Sequence, residues 1–439
     1  MTGRSGFEFH GVVEGFYGAV WSEAQRFRFI ERLRPFGIDT YVYCPKHDPA
    51  LGSEARLPLG DADGARLGAL ARFCGERGIA PWAGLHLEAP FALGRPEDVE
   101  GAAQKLIALA GLGYTGFAIL FDDLPPVPQT PDAPDAPSQA DQQASAFRGI
   151  HARVSGAGVE ANWALCPSLY TLDPILDWHH GPFEPDYLKK LDAGLPDEVA
   201  WFWTGPRVCS PSISLEDAAA FLGDVRRELL LWDNYPVNDA GMIHQLHLGP
   251  LSGRAAELTS AVKGYLFNPL LQPALGALPG ATCLAYAADP AAYDPAAAWE
   301  RALAAEVPAE LHGEIAALEA LTRHSCLSGG KSTPPPDHPL AQGLRAGWQG
   351  GDATAVENTA GENAAVAEAP AGLLELLERL RRGLPEDMAR EAAPWLERLE
   401  QARRILQAHA GEGGLDSAPA ESTGFRAGAA VVLGDWFEP

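Results

Sequence analysis

Positive charge is what this sequence lacks most clearly. Thirty-three Lys and Arg stand against 58 Asp and Glu in 439 residues, a formal charge of -25. A chain so acidic has little with which to replace the counterions of a nucleic-acid backbone or an anionic bilayer, so neither is expected as a partner. Cysteine is sparse: Cys44, Cys74, Cys166, Cys209, Cys283 and Cys326 are scattered, without a CxxC pair. That spacing indicates neither a zinc knuckle nor a disulfide framework. No run of 18 apolar residues occurs and no apolar signal core follows Met1, so the expectation is a soluble, cytoplasmic protein. A glycine-rich loop that would cradle phosphate is also missing, and His47, His244 and His247 have no metal-ligand spacing, which leaves them as structural or rim residues. No cofactor and no metal is expected.

What the chain does have is alternation. Short apolar runs, each followed by a helical stretch, recur through the first 290 residues, the reading expected of parallel strands covered on both faces. The strands are placed at Phe7 to Val13, Asp39 to Cys44, Ala80 to Leu87, Phe117 to Phe121, Asn162 to Cys166, Val199 to Trp203, Leu229 to Trp232 and Ala281 to Tyr286. Helices are expected from Ser22 to Arg34 with a capping box, Asp61 to Arg77, Pro96 to Leu109, after Gln139 to Ala157, at Tyr187 to Leu191, Ser214 to Glu228 and Arg254 to Phe267. Eight such units predict a (β/α)8 barrel, which needs about 250 residues. The expected domains are therefore a catalytic barrel at 1–290 and a helical C-terminal region at 291–439.

In that second region Leu373, Leu374, Leu376, Leu377 and Leu380 mark one amphipathic helix, and Trp395, Leu396, Leu399, Ile405 and Leu406 another. These stripes are offered to each other or to a second copy of the chain. Gly329 to Asp337 reads as a break, and Val431 to Phe437 as a short strand or docking tail.

Barrel enzymes carry their working residues on the loops after the strands. The strand tips here hold Tyr17, Lys46, His47, Asp48, His86, Glu88, Asp122, Asp123, Tyr170, Thr204, Trp232, Asp233, Asn234, Asn238 and Asp239. Aromatic walls with amide and carboxylate rims suit a neutral polyol, whose apolar faces stack on rings while its hydroxyls need donors and acceptors. The fourth strand ends in two adjacent carboxylates, Asp122 and Asp123, a costly pairing unless the charges are used. In glycoside hydrolysis one carboxyl delivers a proton to the leaving oxygen and another stays charged. Neighbours at one strand tip are badly placed to flank a sugar ring from opposite sides. They suit a substrate that supplies its own nucleophile, a 2-acetamido oxygen, while one aspartate holds the acetamide N–H. A solvated turn and a magnesium or manganese site are the competing readings of a bare Asp-Asp.

Several motifs, in order, carry a resemblance: Gly11-Val-Val-Glu-Gly-Phe-Tyr-Gly18, Tyr41-Val-Tyr-Cys-Pro-Lys46, Phe121-Asp-Asp123, Trp203-Thr-Gly-Pro206, Trp232-Asp-Asn234 with Asn238-Asp239, Leu248-Gly-Pro250 and Asn268-Pro269. The stretch from about residue 7 to 290 resembles the O-GlcNAcase/hyaluronidase-like β-N-acetylglucosaminidases, retaining glycoside hydrolases. The resemblance implies an exo-acting enzyme on N-acetylglucosamine-containing glycans or glycoconjugates, including O-GlcNAc on proteins, by way of an oxazoline-type intermediate. Asp122 would orient and polarise the acetamido group, and Asp123 would be the general acid and later base. Asn234 would hold the acetamide oxygen, Tyr170 would position the group and Trp232 would wall its pocket. Asp239 would grip the distal hydroxyls, Lys46, Asn268 and the Gly15 carbonyl would bind the others, and Tyr17 would shape the pocket. Two rivals remain at this point: an endo-acting hyaluronidase-type enzyme, and a silent sugar-binding scaffold. The Pro-rich stretch from Pro125 to Gln139 departs from the pattern beside the acid.

Overall fold

The computed structural model describes residues 6–124, 137–223, 225, 227–322 and 360–411. The break at Gly329 to Asp337, most of the Pro-rich loop, Cys326, the side chains of Ile405 and Leu406, and the tail at Val431 to Phe437 lie outside the described residues. Eight parallel strands close into a barrel in chain order: β1 (Phe9–Glu14), β2 (Thr40–Tyr43), β3 (Ala80–His86), β4 (Gly116–Leu120), β5 (Asn162–Cys166), β6 (Ala200–Trp203), β7 (Leu229–Asp233) and β8 (Val262–Phe267). The seam is sealed by β1 on β8, with Phe9 opposite Gly264 and Val12 opposite Phe267. Side chains fill the interior, among them Val13, Val42, Trp82, Ala118, Phe202, Leu230 and Leu266, so the barrel is a packed core rather than a pore.

The helices between strands are α1 (Glu23–Leu33), α2 (Asp61–Gly75), α3 (Pro96–Gly111), α4 (Gln139–Gly156), α5 (Ile175–His180), α6 (Tyr187–Ala193) and α7 (Leu215–Leu222). Their starts follow local chemistry. Ser22 with Gln25, Ser138 with Asp141, and Ser214 with Asp217 each form a reciprocal capping box, and Pro96 opens α3, where its missing N–H costs nothing. α7 is shorter than expected because Gly223, at φ 54°, ends it.

One expectation is overturned. The stretch Arg254 to Phe267, read as a helix, holds a short 3-10 turn at Ala256–Ser260 and then β8. The stretch Ala281 to Tyr286, read as the eighth strand, lies inside a helix, α8 (Pro273–Ala288). A helix buried all round gives the same unbroken apolar run as a parallel strand, and Ala281, Cys283, Leu284, Tyr286 and Ala287 are all buried. In Val262–Phe267 the deciding feature is Gly264: a Cβ there would come within 2.8 Å of Leu230 Cδ2 and 3.0 Å of the Phe9 Cβ. Close strand packing on both sides, not helix formation, explains that glycine.

The chain divides into two compact units. The first comprises Met1–Asp239, Leu251–Leu271 and Cys283–Asp294, and the second Ala240–Pro250, Gln272–Thr282 and Pro295–Pro439. Within the second are α9 (Pro295–Glu306), α10 (His312–Thr322), α11 (Ala360–Gly383) and α12 (Glu386–Gly411). α11 and α12 pack on each other, and Leu373, Leu376, Leu377 and Leu380 of α11, with Trp395, Leu396 and Leu399 of α12, are buried, while Leu374 is exposed. Trp395 Nε1 also donates to the His244 carbonyl at 3.0 Å. Cys44, Cys74, Cys166 and Cys283 are buried free thiols, and Cys209 is half-buried. Among the described residues no helix is long and apolar enough to cross a membrane.

Candidate active site

The first unit gathers its strand-tip residues at the carboxyl end of the barrel. β4 delivers the two carboxylates. The chain leaves the strand at Phe121, whose N–H still bonds to Cys166 O at 2.9 Å, and then turns sharply, with Asp123 at φ 59°. Aspartate tolerates that left-handed conformation better than most residues do. The turn gives the two neighbours different surroundings.

The Asp122 side chain is 9% exposed and the Asp123 side chain 31%. Asp122 Oδ2 accepts a hydrogen bond and ion pair from Lys46 Nζ, and its Oδ1 is buried with no hydrogen-bond partner among the described residues. Burial opposes the Lys46 ammonium, but the carboxylates of Asp122 and Asp123 outweigh it and hold its pKa above the ordinary lysine value. Lys46 also lies 3.2 Å from His86 Nδ1, while His86 Nε2 faces the Cys44 carbonyl at 3.1 Å. Burial, and then the Lys46 charge, push the imidazole pKa well below its usual value, so His86 is neutral, donating from Nε2 and accepting at Nδ1.

Asp123 is held by two phenols. Tyr17 Oη donates to Oδ2 at 2.5 Å and Tyr170 Oη to Oδ1 at 3.0 Å. Burial, followed by the adjacent Asp123 charge, raises both phenol pKa values, so both remain donors. His180 Nε2 stands 3.9 Å from Asp123 Oδ1. The Tyr17 backbone N–H donates to Asp239 Oδ2 at 2.7 Å, and burial raises the Asp239 carboxyl pKa.

The remaining wall comes from β1, β7 and β8. Lys46 Nζ lies 5.6 Å from the Tyr17 ring centre and 5.7 Å from that of Trp232, whose indole packs edge-on to Phe202. Gly15 makes that indole position possible, since a Cβ there would sit 2.1 Å from Trp232 Cζ2. Asn234 Nδ2 donates to Val208 O at 2.8 Å and its Oδ1 accepts from Asn268 Nδ2 at 3.0 Å, leaving one Asn234 N–H for a ligand. Asn268 Oδ1 is a second buried acceptor with no partner among the described residues.

Two buried triads brace this wall. Glu14, at the end of β1, accepts from Arg26 Nε at 2.6 Å, Arg26 Nη2 at 2.7 Å and Tyr41 Oη at 2.5 Å. Asp233, between Trp232 and Asn234, accepts from Arg254 Nε at 2.8 Å, Arg254 Nη2 at 2.6 Å and Tyr265 Oη at 2.7 Å.

The structure thus places Gly15, Tyr17, Lys46, Asp122, Asp123, Tyr170, Trp232, Asn234, Asp239 and Asn268 in one connected set. Asn268 joins it because β8 ends at Phe267, immediately before it. Asp48 does not take part; it is buried against Arg66 and Tyr43. Asn238 instead accepts from Leu271 N at 2.9 Å, and His47 touches Gly18 at the rim. Sequence reasoning missed His180 and the arginines of the triads. The helix C-terminal pair His179-His180 was the available signal for the first; nothing local marks Arg26 or Arg254. Among the described residues no three His, Cys, Asp or Glu side chains converge as a metal site requires.

Comparison with known proteins decides the family. The model of the β-N-acetylglucosaminidase family (NAGidase) matches residues 10–321. The chain belongs to that family. It is 29% identical over 265 residues to Protein O-GlcNAcase of Rattus norvegicus and equally to that of Mus musculus. Those matches take in 59% of this chain but only 28% of either relative, so the chain spans well under a third of their length. A mutant O-GlcNAc hydrolase of Thermobaculum terrenum shares the fold, with a TM-score of 0.79 at 24% identity over 98% of this chain and 91% of that one. CpGH84B shares it too, with a TM-score of 0.73 at 22% identity over 93% and 70%. The barrel with C-terminal helices is thus the architecture of its family neighbours.

Proposed function

We propose that this chain is a retaining, exo-acting β-N-acetylglucosaminidase in which the substrate's own 2-acetamido oxygen attacks the anomeric carbon. The observation that carries the reading is the unequal setting of the neighbouring carboxyls. Asp122 is buried on Lys46 with one oxygen unpartnered, a fixed acceptor suited to the acetamide N–H. Holding that N–H raises the electron density on the acetamide oxygen as it bonds to C1 and the glycosidic C–O bond breaks. The tether supplies effective concentration that a free nucleophile lacks.

Asp123, more exposed, gives its proton to the departing oxygen. It then takes a proton from the water that opens the oxazoline at C1, restoring the amide and the original anomeric configuration. The two phenols donate one to each oxygen of Asp123 and so fix how that carboxyl is turned. The Asn234 amide offers an N–H to the acetamide oxygen, and the Trp232 ring an apolar wall to the acetyl methyl. Asp239, Lys46, Asn268 and the Gly15 carbonyl offer partners for the sugar hydroxyls.

The test is a pair of comparisons. An aryl β-N-acetylglucosaminide should be turned over, and the matching glucoside, which has no amide, should not. Asp123→Ala should lose about 10²–10⁴-fold on a poor leaving group and much less on an activated aryl one. Equal rates on glucoside and N-acetylglucosaminide, or equal losses on both leaving groups, would end the proposal.

A further inference from the structure

His86 is the last residue of β3 and is buried, 5% exposed. Its backbone N–H donates to Leu51 O at 2.8 Å, which fixes the main chain beneath the ring. Nε2 lies 3.1 Å from the Cys44 carbonyl and Nδ1 lies 3.2 Å from Lys46 Nζ. A carbonyl only accepts and an ammonium only donates, so these neighbours dictate the tautomer: the proton is on Nε2 and the lone pair on Nδ1. That lone pair matters to the carboxylate beside it. Lys46 carries three N–H donors, of which Asp122 Oδ2 takes one and His86 draws another. Nδ1 is also 3.9 Å from Asp122 Oδ1, the buried oxygen with no hydrogen-bond partner among the described residues. A donor in the place of Nδ1 would capture that oxygen, and a second carboxylate there would set like charges side by side. A neutral acceptor does neither.

We propose that His86 is a positioning residue: it takes up a Lys46 donor that would otherwise bridge to Asp122 Oδ1, and so keeps that oxygen open for the acetamide N–H. The inference rests on the activity proposed above and adds what holds the buried carboxylate ready. Without the imidazole, the ammonium turns to the second oxygen of the same carboxylate. Asp122 is then neutralised as well as before, but the substrate amide has to displace the lysine to reach it.

Asparagine and glutamine separate the two ring nitrogens, because the Asn amide oxygen overlays Nδ1 and the Gln amide nitrogen overlays Nε2. His86→Gln keeps the Cys44 contact and removes the acceptor, and His86→Asn does the reverse. On an aryl β-N-acetylglucosaminide, His86→Gln should lower kcat by about 10²-fold with KM changed much less. His86→Asn should recover most of that loss, although it gives up the Cys44 carbonyl. In an Asp122→Asn background, His86→Gln should cost no more than about twofold further. Equal losses in the two variants, or a His86→Gln loss undiminished when Asp122 is already changed, would show a merely structural role and overturn the assignment. If either variant fails to fold, nitrogen NMR of the wild-type imidazoles decides. The ring whose signals shift in Lys46→Met should be neutral and protonated on Nε2, and a proton on Nδ1 would overturn the proposal. Wild-type protein inactive on the aryl substrate, with that tautomer in place, would instead defeat the proposed activity itself.

Discussion

Removing Lys46 tests the physical basis of the site most directly. Its side chain is 7% exposed and that of its partner Asp122 is 9% exposed, so neither charge has water to fall back on. Replacing the lysine by methionine keeps the aliphatic stem and deletes the ammonium, leaving an uncompensated buried carboxylate. Breaking a buried pair in this way costs about 3–5 kcal/mol. Asp122→Asn should be harmful for the mirror-image reason. The double variant buries no net charge and should cost clearly less than the two single losses together. Denaturant unfolding of wild type, both singles and the double gives the cycle, and the coupling energy should be at least about 2 kcal/mol. Additivity within about 0.5 kcal/mol would mean that water or other groups already neutralise the pair, and that Asp122 is not the pre-fixed acceptor the mechanism needs.

Gly15→Ala should drive Trp232 out of place, since the new methyl would stand 2.1 Å from its ring, and kcat/KM should fall by about 10²-fold or more; normal kinetics would show that the indole is not a fixed wall. Burial raises the Asp239 carboxyl pKa, so as pH falls its charge is lost earlier than for an ordinary aspartate. The acid limb of kcat/KM should accordingly lie above the usual aspartate range, and Asp239→Asn should flatten that limb while lowering the plateau; an unmoved limb in the variant refutes the role. His86 is held neutral in the fold, whereas the unfolded chain protonates near pH ~6.5. Stability should then drop as pH falls below that point, by up to about 1.4 kcal/mol per pH unit, and His86→Gln should lose this slope in denaturant titrations at pH 5 and 7; identical slopes would refute it.

Much of the site was readable because its residues sit at the ends of short apolar runs. The apolar run from Gly116 to Phe121 ends in two carboxylates, and once it is a barrel strand the residues that follow it come to the opening. The eighth strand was not readable by the same rule. α8 is apolar on every side and imitates a strand, while Val262–Phe267 follows an Arg, Ala, Glu and Leu mixture that imitates a helix. Its glycine had meaning only once Leu230 and Phe9 stood beside it. Asp48 follows β2 just as Lys46 does, yet turns to Arg66 of α2. A strand tip supplies both a working face and a helix-facing side, and two residues of spacing do not settle which one a side chain takes. His180 belongs to an irregular insert, where no periodicity carries information about which groups come near Asp123.

The two arginine-centred triads divide labour around the barrel mouth. Glu14–Arg26–Tyr41 and Asp233–Arg254–Tyr265 clamp β1 to β2 and β7 to β8, on either side of the seam where the first strand meets the last. The candidate site is therefore fixed to the part of the cylinder that closes last along the chain. A change at Arg26 or Arg254 therefore acts on the closure of the cylinder and on the residues beside that closure together.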